Sequence, residues 1–360
     1  MNRGFWHSKK VFLTGHTGFK GGWMTTWLQS LGAHVAGFGL IPNTVPSFFE
    51  LCRMADRMDS ILGDIRNLDL LMGAIASHQP DILFHMAAQP LVRRSYQDPI
   101  ETLSTNIMGT VHLLEAARHT PSVRAVIVIT SDKCYYNRGW LWGYREDEPM
   151  GGRDPYAVSK GCAELVAAAY QHSYFRPGSA TLATVRAGNV IGGGDWSEDR
   201  IVPDAIRAFT RGELLAVRNP AAVRPWQHVL EPISGYLMLA EKVYSEQQKW
   251  EGGWNFGPYD ADAVPVSTLS DLLVQSWGNE SAWHDKGDPN APHEEPYLKL
   301  DSSKARQSLG WRPRLNVNEA VEWTMAWYKH ALKAVPGDEV YEFTEEQIHR
   351  YEARRKAAEH

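Results

Sequence analysis

Five short apolar runs, at 11–14, 34–38, 81–86, 125–130 and 182–185, punctuate the first half of the chain, and longer amphipathic stretches separate them. This alternation limits the fold more than any other feature. A strand whose chain returns through a helix to a parallel neighbour is covered on both faces, so it reads as a continuous apolar run rather than an alternating one. The pattern predicts an α/β fold, a doubly wound parallel sheet of the Rossmann kind, with helices over 20–31, 67–78, 99–118 and 156–174. After Gly188 the rhythm breaks, and Gly192-Gly193-Gly194, Pro203, Pro220, Pro225, Pro232, Pro258 and Pro265 punctuate shorter pieces. The expected division is a sheet domain over 1–187 and a smaller, mixed C-terminal lobe over 188–335 with segments crossing between the lobes. Helices are expected near 267–276 and 318–333, and a charged, helical tail over 336–360.

A sheet of this kind binds ligands beyond the carboxyl ends of its strands. At the first such end stands Gly15-His-Thr-Gly18-Phe-Lys-Gly21. Gly15 lets the chain turn, Gly18 admits a phosphate close to the backbone, and Gly21 lets helix and strand pack tightly. The helix that follows directs its free N–H groups at the anion, so the first domain is expected to bind a dinucleotide. Asp64, in Gly63-Asp64-Ile65, is placed to accept a hydrogen bond from an adenine amino group; its other reading is the N-cap of the helix starting at Asn67. The carboxylate that commonly closes the second strand and holds the ribose is absent from Gly39-Leu40-Ile41, so NAD and NADP are not distinguished there.

Asp154-Pro155-Tyr156-Ala-Val-Ser-Lys160 opens a helix, and four-residue spacing puts Tyr156 and Lys160 on one face. A phenol with a pKa near 10 becomes a base at neutral pH when a nearby ammonium favours its anion, and Lys160 is the expected source of that charge. The run ending at Thr130 leads into Ser131-Asp132-Lys133, a hydroxyl, a carboxylate and an amine in succession at the ligand edge of the sheet. With Tyr156 and Lys160 these form a candidate hydride-transfer site. Cys134 reads as a packed thiol, since no partner histidine is identifiable.

Charge and cysteine usage exclude several classes. With 37 Lys and Arg against 42 Asp and Glu, the net charge of −5 offers no broad cationic surface for nucleic acid. Cys52, Cys134 and Cys162 are odd in number and widely spaced, which suggests neither a disulfide framework nor zinc. His284-Asp285 and His293-Glu294-Glu295 contain donors at spacings that fit no compact ligand set, so no metal is expected. No apolar run approaches the span of a bilayer and no export signal is recognised, so the expected location is the cytoplasm.

On the glycine turn and the Tyr-x-x-x-Lys pair, the chain resembles the extended short-chain dehydrogenase/reductase family. Further stretches are similar to its sugar-nucleotide dehydratases: Phe84-His-Met-Ala-Ala-Gln-Pro-Leu-Val-Arg93, Thr130-Ser-Asp-Lys-Cys-Tyr135, Val185 to Trp196, Arg224-Pro-Trp-Gln-His-Val229 and Trp254-Asn-Phe-Gly-Pro258. The resemblance implies NAD, held by Gly15, Thr17, Gly18, Phe19, Lys20, Gly21, Asp64, Ile65, Ala87, Ala88, Tyr156 and Lys160. It implies CDP-glucose as the sugar nucleotide, contacted by Ser131, Asn189, Arg224 and His228, with a packed core histidine as the other reading of His228. Tyr156, helped by Ser131 and Lys160, takes the proton of the sugar 4-hydroxyl in that scheme. Asp132 protonates the departing 6-hydroxyl and Lys133 removes the C5 proton, at positions where the dTDP-glucose relatives carry an Asp-Glu pair for the elimination. The family implies a homodimer or homotetramer, paired through the helices near 99–118 and 156–174. Two other readings stay open, a sugar-nucleotide 4-epimerase and a catalytically silent dinucleotide sensor.

Overall fold

In the first strand, β1 (Lys10–Thr14), Val11 and Leu13 point into one apolar cluster and Phe12 into another, on the opposite face of the sheet. The same division recurs in β4 (Ile82–His85), where Ile82 and Phe84 take one side and Leu83 the other. It recurs in β5 (Ala125–Ile129), where Val126 and Val128 face away from Ala125, Ile127 and Ile129. A period of two in strands covered on both faces is the geometric content of the continuous apolar runs. The computed structural model describes residues 1–175, 178–278, 281–287 and 297–357.

β1, β4 and β5 join β2 (His34–Gly39), β3 (Asp59–Leu62), β6 (Thr181–Ala187) and β7 (Gly252–Phe256) in one seven-stranded parallel sheet of order β7-β6-β5-β4-β1-β2-β3. β1 pairs with β2 through Val11 and Val35 and with β4 through Val11 and Ile82. The chain therefore winds outward from β1 in both directions, and a crevice opens between the carboxyl ends of β1 and β4. One face is covered by α1 (Phe19–Ser30), with Trp23 and Trp27 fully buried, and by helices from later in the chain. α2 (Leu68–His78), α3 (Gly109–Arg118) and α4 (Pro155–Ser173) cover the other. The helix expected as one piece over 99–118 is interrupted by a π turn at Ser104–Met108. That turn aims Asn106 at the loop after β4, where it accepts from the Gln89 N–H at 2.8 Å and donates to the Gln89 carbonyl at 3.1 Å.

Beyond residue 187 the chain leaves the sheet and returns to it. α5 (Ile201–Thr210) lies in the second lobe, whereas α6 (Leu230–Glu246) packs on β5 and β6 before β7 adds to β6, with Trp254 opposite Val185. Three small sheets brace the lobe: Val190–Ile191 with Gln227–His228, Val223–Pro225 with Ala263–Pro265, and Leu215–Val217 with Trp283–Asp285. α7 (Val266–Trp277) and α8 (Val317–Ala331) complete it. The charged tail forms α9 (Asp338–Ala357), a docked helix. Val340, Thr344, Ile348 and Tyr351, spaced by three or four residues, make a buried stripe among the charges. The stripe lies against α1 and α8: Trp27 Nε1 donates to Glu352 at 3.0 Å, and Trp327 Nε1 to Thr344 at 2.8 Å.

Candidate active site

A cavity of about 920 Å³ opens over the carboxyl ends of β1, β4 and β5 and extends to the second lobe. Its inner wall begins at the glycine turn. Gly15 has φ +78°, and a Cβ there would meet the Ala87 backbone nitrogen at 2.7 Å. A Cβ on Gly21 would collide with the Gly15 carbonyl oxygen, so both glycines are required by the protein itself. Gly18 differs. It has ordinary extended geometry, φ −77° and ψ 159°, caps α1 without a side chain, and its nearest obstacle to a Cβ is 3.5 Å away. Nothing in the chain demands a glycine there; the open cradle in front of the α1 N–H groups has the form a dinucleotide pyrophosphate requires.

Thr14 links the two strands at the crevice. Its hydroxyl accepts the N–H groups of Met86 and Ala87, each at 3.2 Å, which sets Ala87 and Ala88 along the cavity wall. On the far side of the turn, Asp64 and Ile65 line the cavity. Asp64 does not cap α2; Asn67 does, accepting from the Leu70 N–H. Asp64 accepts instead from the Arg66 backbone at 2.8 Å and pairs with its guanidinium, which holds the carboxyl below its usual range. Leu40 and Ile41, where the ribose-binding carboxylate is missing, stand exposed on the rim.

Ser131, two residues beyond β5, is extended and caps a single 3₁₀ turn, Asp132–Cys134, by accepting the Lys133 N–H. Its hydroxyl donates to Asp132 at 2.9 Å and lies beside the Tyr156 phenol. Burial raises the pKa of the Asp132 carboxyl, against the pull of the Lys133 charge and the Ser131 hydrogen bond. Tyr156 and Lys160 lie on the first turns of α4, whose N-cap Asp154 accepts from Ala157, with Pro155 at the first helical position. Lys160 Nζ donates to the Ile129 carbonyl at 3.3 Å, and burial lowers its pKa to about 8. Tyr156 behaves differently from the expected lowered phenol. Burial pushes it up to about 12, against the Ser131 hydrogen bond and the Arg200 charge.

Gly15, Thr17, Gly18, Phe19, Lys20, Gly21, Asp64, Ile65, Ala87, Ala88, Ser131, Asp132, Lys133, Tyr156, Lys160, Asn189 and Arg224 all line this cavity. His228 does not. It is fully buried, its ring edge-on to Trp23 and to Trp323, and desolvation lowers its pKa to about 3. The structure moves His228 from a substrate contact to a core histidine, though not a satisfied one: Nδ1 accepts the Leu230 N–H at 3.4 Å and Nε2 is buried without a hydrogen-bond partner. Residue patterns missed the Arg200–Asp195 ion pair, 2.8 Å long, which faces Lys20 from across the cavity. Lys20 sits between those two, Lys160 and Asp132, and burial with the neighbouring cations lowers it to about 8. The glycine run before Asp195 was the available signal: a side chain on Gly193 would collide with Trp327. Of the loop donors, His284 and Asp285 form a short strand, and His293, Glu294 and Glu295 lie outside the described residues. No cluster able to hold a metal occurs among the described residues. Nor does any helix among them have the length and apolarity to cross a membrane.

Comparison with known proteins places this cavity in context. A CDP-glucose 4,6-dehydratase of Salmonella typhimurium is 54% identical over 338 residues, covering 91% of this chain and 94% of that protein. Among solved structures, a UDP-glucose 4-epimerase of Thermotoga maritima superposes with a TM-score of 0.78 at 21% identity, covering 90% of this chain and all of that one. A dTDP-glucose 4,6-dehydratase of Bacillus anthracis, solved in complex with NAD, gives 0.73 at 20% identity. At these identities the two structures bear on the fold. The family model described as GDP-mannose 4,6 dehydratase matches residues 12–324, and the chain belongs to that family, within the extended short-chain dehydrogenases/reductases.

Proposed function

We propose that the protein removes water from CDP-glucose to give CDP-4-keto-6-deoxyglucose, with NAD as a cofactor restored in each turnover. The observation that carries this reading is the 54% identity to the Salmonella dehydratase across nearly the whole of both chains. The gathering of Ser131, Asp132, Lys133, Tyr156 and Lys160 in one cavity supports it. Gly15, Thr17, Gly18, Phe19, Lys20, Gly21, Asp64, Ile65, Ala87, Ala88, Tyr156 and Lys160 would hold NAD, the glycine turn at its pyrophosphate and Asp64 at its adenine. When bound, NAD takes a hydride from the sugar and returns it.

Tyr156 takes the proton of the 4-hydroxyl, with Ser131 sharing that hydrogen bond and Lys160 supplying positive charge. The resulting 4-ketone acidifies the C5 proton and Lys133 removes it; once the 6-hydroxyl has left as water and the hydride has gone to C6, Lys133 gives a proton back to C5. Asp132 delivers a proton to the departing 6-hydroxyl, a role suited to a carboxyl whose burial favours its neutral form. Arg224 offers a planar pair of donors to the substrate diphosphate, and Asn189 contacts the sugar. Incubation with a panel of nucleoside-diphosphate glucoses, read by mass, tests the reading: CDP-glucose should lose one water. Unchanged mass with an isomeric sugar would make the protein an epimerase, and turnover of another nucleotide in preference would overturn the base assignment.

Pairing into a homodimer accounts for an apolar patch on two neighbouring helical segments. Ile100, Met108, Val158 and Leu165 are 79%, 45%, 38% and 61% exposed there. Sedimentation should give a dimer that Leu165→Glu converts to monomer. Cys52, Cys134 and Cys162 are all free thiols, which suits a reducing cytoplasm.

A further inference from the structure

Thr130 and Tyr135 bracket the reactive run Ser131-Asp132-Lys133, and both end on the same buried ion pair. The Thr130 hydroxyl donates to Glu164 Oε1. Arg186 donates through Nε and Nη2 to Glu164 at 2.9 and 2.8 Å, and through Nη1 to the Tyr135 hydroxyl. Tyr135 donates onward to Asn255 Oδ1 at 2.8 Å, on β7. Thr184 completes the shell of Glu164 at 2.6 Å. Both charged side chains are almost wholly buried, 4% and 5% exposed. Glu164 lies one helical turn after Lys160 on α4.

A buried ion pair is a poor device for stability, because desolvation consumes most of what the Coulomb attraction returns, and apolar residues of equal volume would serve as well. What apolar residues could not supply is directional bonding to both flanks of one short loop, and a fixed negative charge beside a lysine. We propose that the Arg186–Glu164 pair is a positioning device for the reaction: through Thr130 and Tyr135 it fixes Ser131-Asp132-Lys133, and it sets a carboxylate one helical turn behind Lys160. The inference rests on the functional reading above for its kinetic arm, and on geometry alone for its structural one.

The groups that face Lys160 are Glu164 and Tyr156 on its own helix, Cys134 on the reactive loop, His85 on β4 and Lys20 on α1. His85 is held neutral by burial, and Lys20 and the thiol offer no negative charge near neutral pH. Glu164 is therefore the carboxylate of that set, and removing its charge moves Lys160 towards deprotonation at lower pH.

Two variants of the full chain test the proposal. Glu164→Gln should lower kcat on the order of tenfold, with KM within about twofold, because the loop loses register rather than contact with substrate. Its alkaline limb in the pH profile should move about one unit towards acid, a shift that loosened packing alone does not produce. Tyr135→Phe, which deletes one hydroxyl, should lower kcat several-fold, leave the alkaline limb in place, and speed amide hydrogen exchange across 131–135 with a melting temperature close to that of the parent. A folded Glu164→Gln protein with an unmoved limb and parental kcat overturns the proposal. If Glu164→Gln does not fold, parental exchange rates in Tyr135→Phe overturn it. Should the parent protein leave CDP-glucose intact, the functional reading fails, and the exchange experiment still decides the positioning role.

Discussion

Tyr351, on the last helix, donates its hydroxyl to Glu231 Oε2 across 2.7 Å, in the first turn of α6. The other carboxylate oxygen accepts the N–H groups of Arg314 and Leu315 at 2.9 and 2.8 Å, so one acidic side chain ties three separate segments together. Burial outweighs these hydrogen bonds and pushes the Glu231 pKa from 4.5 up to about 7.

That shift makes stability depend on pH in a definite direction. An acid whose folded pKa is raised contributes fully below its unfolded value, and the contribution is lost as pH rises through the folded value. The parent protein should therefore lose stability relative to Glu231→Gln between about pH 4.5 and pH 7, by up to about 3 kcal/mol at roughly 1.4 kcal/mol per unit. Melting temperatures of both proteins across this range check it; a constant offset would show that the ionised form is equally at home in the fold.

The glycines of the phosphate turn should separate cleanly. Gly18→Ala, where the chain leaves room, is expected to melt within a few degrees of the parent yet to lose retained dinucleotide during purification. Gly21→Ala, whose new Cβ would strike the Gly15 carbonyl, should instead melt well below it. Calorimetry with the cofactor content of each preparation distinguishes the two. Equal loss of stability would make Gly18 a packing residue.

Tyr156→Phe keeps the ring and removes the proton-transferring oxygen. Turnover should fall on the order of 10² or more while nucleotide-sugar affinity stays near the parental value. Arg224→Ala should reverse the split, weakening affinity more than turnover, because it deletes charge-assisted bonds to the diphosphate. Titration calorimetry beside steady-state rates separates the pair, and the same split in both variants would refute one of the roles.

Lys133→Met addresses the C5 proton. The variant should still oxidise C4, seen as reduced-cofactor absorbance, but incorporate no solvent deuterium at C5 and lose no water. Exchange at the parental rate would transfer the base to Asp132 or to water and leave Lys133 a charge-setting neighbour.

Five of the seven sheet strands were legible because each is an uninterrupted apolar run buried on both faces. β3 was not, since Asp59-Ser-Ile-Leu62 is a half-exposed edge strand with only two apolar residues. β7 escaped because Gly252-Gly253 opens it and the second lobe separates it from its partner, although Trp254-Asn255-Phe256 stood out as a motif. The stripe on α9 was hidden by Glu and Arg on its other faces. Within the site, residues fixed by local spacing were readable: the glycine turn, Tyr156 with Lys160, and Ser131 to Lys133. Arg200 opposite Tyr156, Arg186 against Glu164 and His228 between two tryptophans depend on contacts between separate segments, which spacing does not encode.

The bond from Trp27 to Glu352 spans 325 positions and has a consequence for biosynthesis. α1 carries the glycine turn, yet its outer surface is covered by α9, which is made long after it. Closing so long a loop is slow, and until it closes the Trp27 indole faces solvent. Until α9 has been made, a nascent chain thus holds an exposed aromatic face beside its glycine turn. That interval is when chaperones, or early capture of the dinucleotide, act on it with greatest effect.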